Sequence, residues 1–253
     1  MKSNYGDKLH DRYLRFLNWF YPKLCQSCAE DLAYNEPGQI CPSCREAISP
    51  VSEPICIVCG IHMPDGGRHC YDCKRTQIYF FCVRSFGIFE GPLRNLIHKL
   101  KYEGKENLSR DLSSYLFEAW KRYPELKECQ VIIPVPLHPS SFRERGYNQA
   151  DLLAQELLKR MRQGLTKNEK IPELTKNTLG RAKKTRSQTH LSKEERAQNV
   201  KSAFQVKDDG KVRGQKVLLI DDVSTTCSTL NECARTLRKS GAKKVFGLTL
   251  ARD

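Results

Sequence analysis

The sequence predicts an α/β fold, a parallel sheet flanked by helices, with a small cysteine-rich module ahead of it. Three observations carry that expectation. Short apolar, partly β-branched runs at 131–135 and 217–220 read as strands buried on both faces, as in a parallel sheet. The stretches around them repeat apolar residues at helical spacing. Before residue 74 the chain carries four C-x2-C pairs, with few large apolar residues at 49–54 and 63–68, which sets that region apart.

Length and composition bound the rest. A chain of 253 residues suits one or two domains, at about 100 to 200 residues each. Two unequal domains fit best: 21–78 for the cysteine module and 79–253 for the α/β domain, preceded by an amphipathic helix at 1–20. Leu14, Phe16, Leu17, Phe20 and Leu24 would supply its apolar face. Charges reach Arg15 and the apolar stretch beyond is too short for a secretory signal, so a cytoplasmic location is expected. No run approaches the roughly 18 apolar residues of a membrane helix, so stable membrane insertion is not expected. The formal net charge of +14 points to polyanionic partners, whether phosphorylated substrates or nucleic acid, without choosing between them.

Eight of the twelve cysteines form the pairs Cys25/Cys28, Cys41/Cys44, Cys56/Cys59 and Cys70/Cys73. Two thiolates three residues apart can reach one tetrahedral Zn²⁺ from a tight knuckle, and a second pair about ten to fifteen residues on completes the coordination. Sequential use gives two structural zinc sites, Cys25, Cys28, Cys41 and Cys44, then Cys56, Cys59, Cys70 and Cys73; interleaved pairing would use the same ligands. Four thiolates leave no open position for water, so neither site is expected to be catalytic. Disulfides would instead need an oxidising compartment. His62 and His69 are spare ligand candidates that read more simply as solvated side chains, and Cys82, Cys129 and Cys233 read as small buried residues. With so little apolar bulk at 49–54 and 63–68, metal should supply much of the module's stability. Its removal is then expected to unfold the module and spare the sheet domain.

Residues 80–89 read as the strand that opens the second domain. Aromatics there (Tyr79, Phe80, Phe81, Phe86, Phe89) could offer stacking faces to bases, although strand aromatics usually serve the core. Gly91 and Pro92 start a helix whose apolar face is Leu93, Leu96, Ile97 and Leu100. It ends in LKYEGK, where Lys99, Lys101 and Lys105 form either a solvated face or a basic edge beside a glycine turn. A further helix is expected over 108–120. The strand at 131–135 should finish at the ligand edge of the sheet, since Pro134 and Pro136 forbid helix there. Beyond it, LHPSSFRERGYNQA places Arg143, Arg145 and Gly146 ahead of a helix bearing Leu152, Leu153, Leu157 and Leu158. Guanidinium forks suit pyrophosphate oxygens, and two surface arginines in a turn are the plainer reading. Residues 168–201 are polar and basic and read as a mobile lid.

The most informative stretch is KVLLIDDVSTTCSTL, residues 216–230. Its strand ends at Asp221 and Asp222. Helical spacing resumes with Leu230, Cys233, Ala234 and Leu237, so Ser224, Thr225, Thr226, Cys227, Ser228 and Thr229 form the loop at a helix N-terminus. Unpaired N–H groups and the helix dipole favour phosphate there, and the hydroxyls add donors. Carboxylates accept hydrogen bonds, so beside a bound phosphate the acids suit sugar hydroxyls or a divalent cation. Together these features describe a ribose 5-phosphate site. A strand end and helix cap without a ligand would use the same residue types.

DDVSTTCST resembles the phosphoribosyl diphosphate (PRPP) loop of type I phosphoribosyltransferases, in which two acids precede Thr-Gly-Gly or Thr-Gly-Ser and then Thr. Cys227 stands where that family usually has glycine, the residue that best adopts positive φ. Together with the four C-x2-C pairs, LIHKLKYEGK, PVPLHPSSFRERGYNQA, the R-x-x-x-T-x-x-Q segment from Arg181 and ERAQNV, it makes the chain resemble the ComF competence family nearly end to end. The resemblance implies an N-terminal double zinc ribbon and a phosphoribosyltransferase-type parallel sheet, with Mg²⁺ and PRPP as ligand. It also implies a link to natural transformation, the uptake of single-stranded DNA.

By motif, Asp221 and Asp222 would bind ribose hydroxyls and carry catalysis, and residues 224–229 would hold the 5-phosphate. Lys99, Lys101, Arg143, Arg145 and Arg181 would face pyrophosphate, with 181–196 as the flexible loop that excludes water. An active protein would be a transferase. A nucleophile would displace pyrophosphate from the anomeric carbon through an oxocarbenium-like transition state, with acids and basic groups stabilising the separating charges. The alternative is a binding protein that senses PRPP or a nucleotide, or serves as a scaffold, while ribbons and basic arm hold single-stranded DNA or competence proteins.

Overall fold

The computed structural model describes residues 22–33, 35–166, 168–182 and 202–253. The helix expected at 1–20 and most of the expected lid, from 183 to 201, lie outside them.

Each cysteine tetrad is built the same way. In the first, strands β1 (Lys23–Leu24) and β2 (Asp31–Leu32) pair antiparallel around the Cys25/Cys28 knuckle. Cys41 then caps the short helix α1 (Pro42–Glu46), which carries Cys44. In the second, an isolated bridge between Ile55 and His62 closes the Cys56/Cys59 knuckle, and Cys70 caps α2 (Tyr71–Arg75), which carries Cys73. A cysteine at N-cap and another three residues on bring both thiols to one helix end.

The α/β domain follows. Strand β3 (Cys82–Ile88) leads to helices α3 (Gly91–Tyr102) and α4 (Leu108–Arg122) and a 3₁₀ turn at Pro124–Glu128. Strand β4 (Val131–Pro134) leads to α5 (Pro139–Arg145) and α6 (Gln149–Gly164). Short strands β5 (Glu173–Leu174), β6 (Leu179–Arg181) and β7 (Phe204–Val206) precede β8 (Lys216–Ser224), α7 (Ser228–Lys239) and β9 (Lys244–Arg252). Five strands form one parallel sheet in the order β3-β9-β8-β4-β5, and β6 pairs antiparallel with β7 beside it.

Three elements differ from expectation. Strand β8 continues past Ile220 to Ser224, so both acids lie within it. The Arg143/Arg145 segment is a short helix rather than a turn, ended by Gly146 in the left-handed region at φ 83°. Strand β9, an interior strand beside the central β8, has no counterpart among the expected elements; Gly247 interrupts its apolar run where Val83 and Leu230 press close.

Alternation along β8 divides the core. Leu218 and Ile220 face a layer made with α3, α4 and α6, which also contains Cys25, Cys41 and Cys44. Val217 and Leu219 face the opposite layer, made with α7, Leu179 and Phe204, which also contains Cys56 and Cys59. Each tetrad therefore extends one face of the sheet core. Edge strand β3 is covered by the cysteine region: Val51 N donates to Phe86 O (2.7 Å), Val83 N to Val58 O (2.7 Å), and Arg84 Nη2 to Ile57 O (2.9 Å). Gly60, at φ 71°, makes that approach possible, because a Cβ there would lie 2.6 Å from Val83 O. Cys82, Cys129 and Cys233 are buried, as read from the sequence.

Candidate ligand cleft and metal centres

Strands β4 and β8 are neighbours, so their carboxyl ends open onto one crevice, the usual place for a ligand in an open parallel sheet. A cleft of about 890 Å³ lies there. It brings together Lys101 from α3, Arg145 from α5, Arg181 from β6, Asp221 and Asp222 from β8, and Thr225 and Thr229 from the loop into α7. Lys99 and Arg143 are not among its lining residues, and Arg143 is exposed on α5.

The acid pair is more constrained than its sequence suggests. Lys101 follows the apolar residues of α3 and reaches Asp222, Nζ to Oδ1 at 2.9 Å. Asp222 is 3 % exposed, and its Oδ2 is buried with no partner among the described residues. Burial works against the Lys101 charge, but Asp222, with Asp221 behind it, holds that ammonium's pKa above its ordinary value. Asp221 accepts from the Asp222 N–H at 2.9 Å. Burial, and then the Asp222 charge, push Asp221 up to about 7 against the pull of Lys101.

Between β8 and α7 the chain turns at Cys227, which has φ 58° and ψ 8° and is buried. This non-glycine residue takes the left-handed conformation that glycine adopts most readily. Its Sγ lies 3.0 Å from Ser224 Oγ and 3.3 Å from Arg252 Nη1. Ser224 is buried beneath the loop, outside the cleft lining. Thr226 and Ser228, hydrogen-bonded to each other through their hydroxyls at 2.7 Å, line a smaller cavity on the side of the second tetrad.

Also lining the cleft, Arg145 donates to Gln149 and lies over the Tyr102 ring, 5.2 Å from its centroid. Arg181 lies over Phe204, and burial lowers its pKa. His98 and His138 also line the cleft, and the sequence reading missed both. His138 caps α5, its Nδ1 accepting from Ser140 N at 3.2 Å. The signal was its place in LHPSS, just past a strand end.

The two tetrads are sequential: Cys25, Cys28, Cys41, Cys44, and Cys56, Cys59, Cys70, Cys73, each with its sulfurs within 4.8 Å of one another. Cys28 and Cys41 sulfurs stand 3.7 Å apart, and those of Cys59 and Cys70 3.6 Å. A tetrahedron with Zn–S of about 2.3 Å has edges of about 3.8 Å. Backbone N–H groups also point at the sulfurs, as Cys41 N does to Cys25 Sγ (3.3 Å) and Cys70 N to Cys56 Sγ (3.4 Å). This donor set fits structural zinc at both places. His62 and His69 belong to neither tetrad.

Comparison with known proteins agrees. Residues 16–74 match the family model for a double zinc ribbon domain, and residues 144–252 that for a phosphoribosyl transferase domain. The chain is 35 % identical to Competence protein F of Haemophilus influenzae, over 92 % of this chain and 98 % of that protein. It is 30 % identical to DNA utilization protein YhgH of Salmonella typhimurium (88 % and 94 % covered) and 27 % identical to Competence protein ComFC of Bacillus subtilis (85 % of each).

Proposed function

Because this chain belongs to the Competence protein F family, we propose that its cleft binds PRPP or a related phosphoribosyl ligand and that the protein serves DNA uptake. One observation carries the reading. A buried carboxylate oxygen of Asp222, without a partner among the described residues, belongs to a side chain lining the same cleft as Thr225, Thr229 and three arginines, Arg94, Arg145 and Arg181.

The division of labour follows from donor and acceptor types. Early N–H groups of a helix lack intrahelical acceptors, so the turn over 225–229 suits a 5-phosphate. Ribose hydroxyls would donate to Asp221 and to Asp222, whose Oδ2 has no partner among the described residues while Lys101 engages Oδ1. Arg145 and Arg181 suit the pyrophosphate oxygens. Lys101 fixes Asp222 through the ion pair at Oδ1. A hard divalent cation entering with pyrophosphate would find an oxygen ligand in Asp221, and when bound it would neutralise leaving-group charge. The names of the relatives connect those proteins with competence and DNA utilization, and we carry that process to this chain.

Titration calorimetry with Mg²⁺ and PRPP tests the site. Binding by the wild type is expected, with an affinity loss of about tenfold or more in Asp222→Asn, since a buried charge-assisted acceptor is removed. No heat from the wild type would sink the proposal.

A further inference from the structure

We infer that Arg252 is a positioning residue that ties the 225–229 loop to the second zinc site, so that zinc occupancy there sets how tightly the loop holds a phosphate monoester. The inference rests on the proposal that this loop binds phosphate.

Arg252 lies at the carboxyl end of β9, in register with Ser224 at the end of β8. It is 7 % exposed. Its Nη1 donates to Ser224 O and Ser224 Oγ, both at 3.0 Å, to Thr225 O, and to Cys227 Sγ at 3.3 Å. Its Nη2 reaches Cys59 Sγ, 3.8 Å away. One planar group therefore touches the last residue of β8, two residues of the loop and one ligand of the second tetrad. A cavity of about 180 Å³ lies between the loop and the tetrad, lined among others by Cys59, Cys73, Thr226 and Ser228, and Arg252 is the one cationic residue lining it among the described residues.

The physical link has two parts. Four thiolates around one Zn²⁺ carry a net double negative charge, a fitting partner for a guanidinium withdrawn from water. The guanidinium is also a rigid fork, so fixing Nη2 against Cys59 fixes Nη1 against the loop carbonyls. When zinc leaves, Cys59 loses its metal tether beside Nη2, and the strut under the strained Cys227 turn is held less firmly. The first tetrad contributes no residue to this contact set and serves as an internal control. Coupling of two sites is reciprocal, so phosphate at the loop must in turn retain zinc at the second tetrad.

The test follows zinc release from the full-length, zinc-loaded protein to a coloured chelator, with and without saturating ribose 5-phosphate; calorimetry gives the affinity for the same compound. In the wild type, ribose 5-phosphate should slow the release of one of the two zinc ions by about fivefold or more and leave the other unchanged. Arg252→Gln should bind ribose 5-phosphate about tenfold more weakly and lose the protection, and Arg252→Lys should restore part of both. Ribose 5-phosphate that binds the wild type without changing zinc release would overturn the coupling and leave the loop's phosphate site standing. No binding by the wild type would overturn both readings. Should Arg252→Gln fail to fold, the wild-type protection experiment still decides.

Discussion

Asp221 and Asp222 are adjacent in sequence and unlike in chemistry. Asp222 has a cation 2.9 Å away and is buried, whereas Asp221 forms no salt bridge among the described residues and feels its neighbour's charge. Its pKa, pushed up to about 7 from 3.8, gives two consequences with definite sign. A carboxyl whose pKa is raised on folding binds more protons in the native state between those values, so its contribution to stability falls as pH rises from about 4 to about 7 and is level above. Ligand binding runs the other way. Ribose hydroxyls or a cation favour the carboxylate, so affinity for Mg²⁺ and PRPP should rise by up to about tenfold from pH 6 to pH 8, the change in ionised fraction of a group with a pKa near 7. Calorimetry across that range checks this, with Asp221→Asn as the reference that should remove the rise. An equal pH response in both proteins would assign it to the ligand's own phosphates.

At the scale of elements, the turn between β8 and α7 depends on one residue held at φ 58°. Left-handed backbone at a non-glycine residue costs roughly 1 to 2 kcal/mol, here offset by burial of the Cys227 side chain and its contacts to Ser224 and Arg252. Cys227→Gly should therefore fold with stability within about 1 kcal/mol of the wild type and keep ribose 5-phosphate affinity within a few fold. Cys227→Val should lose at least about 2 kcal/mol, because a β-branched residue fits that region poorly. Urea denaturation and calorimetry measure both, and a tolerated valine would show that the turn does not need its left-handed residue. Much of this site was legible in the sequence, because DDVSTTCST encodes strand end, hydroxyl loop and helix start in one run. The family resemblance implies that Lys101 faces pyrophosphate. No local pattern indicates that the end of α3 delivers it to Asp222, a contact between residues 101 and 222 made by the sheet order. Ser224 shows the same limit: its hydroxyl suits phosphate, but the strand runs one residue past the acids' neighbour and turns it under the loop. Strand β9 escaped notice because Gly247 and Thr249 break the apolar run that marked β8.

For the whole molecule, charge and shared core make separate predictions. Between residues 181 and 201 the sequence holds Arg181, Lys183, Lys184, Arg186, Lys193, Arg196 and Lys201 against Glu194 and Glu195. If this segment binds single-stranded DNA, the logarithm of affinity must fall linearly with that of salt, by about 0.7 per phosphate neutralised. A salt series by fluorescence anisotropy should give that slope, and a flat response would remove the segment from the interface. The second prediction concerns zinc. The 21–78 and 79–253 division expected from sequence suggests that metal removal spares the sheet domain, but the packing argues otherwise. Cys25, Cys41 and Cys44 share one core layer with Leu218, Ile220 and Phe246, and Cys56 and Cys59 share the other with Val83, Val217 and Val245. Edge strand β3 also donates to or accepts from the cysteine region at Val51 and Val58. Loss of the tetrads would expose that edge and open both layers at once. We therefore expect chelated protein to melt in one transition, with Tm lowered by about 10 °C or more, the shift that a loss of several kcal/mol produces in a chain of this size. Calorimetric scans with and without chelator decide the point. A low transition for the tetrads, followed by an unshifted one for the sheet, would show that zinc stabilises its own module alone.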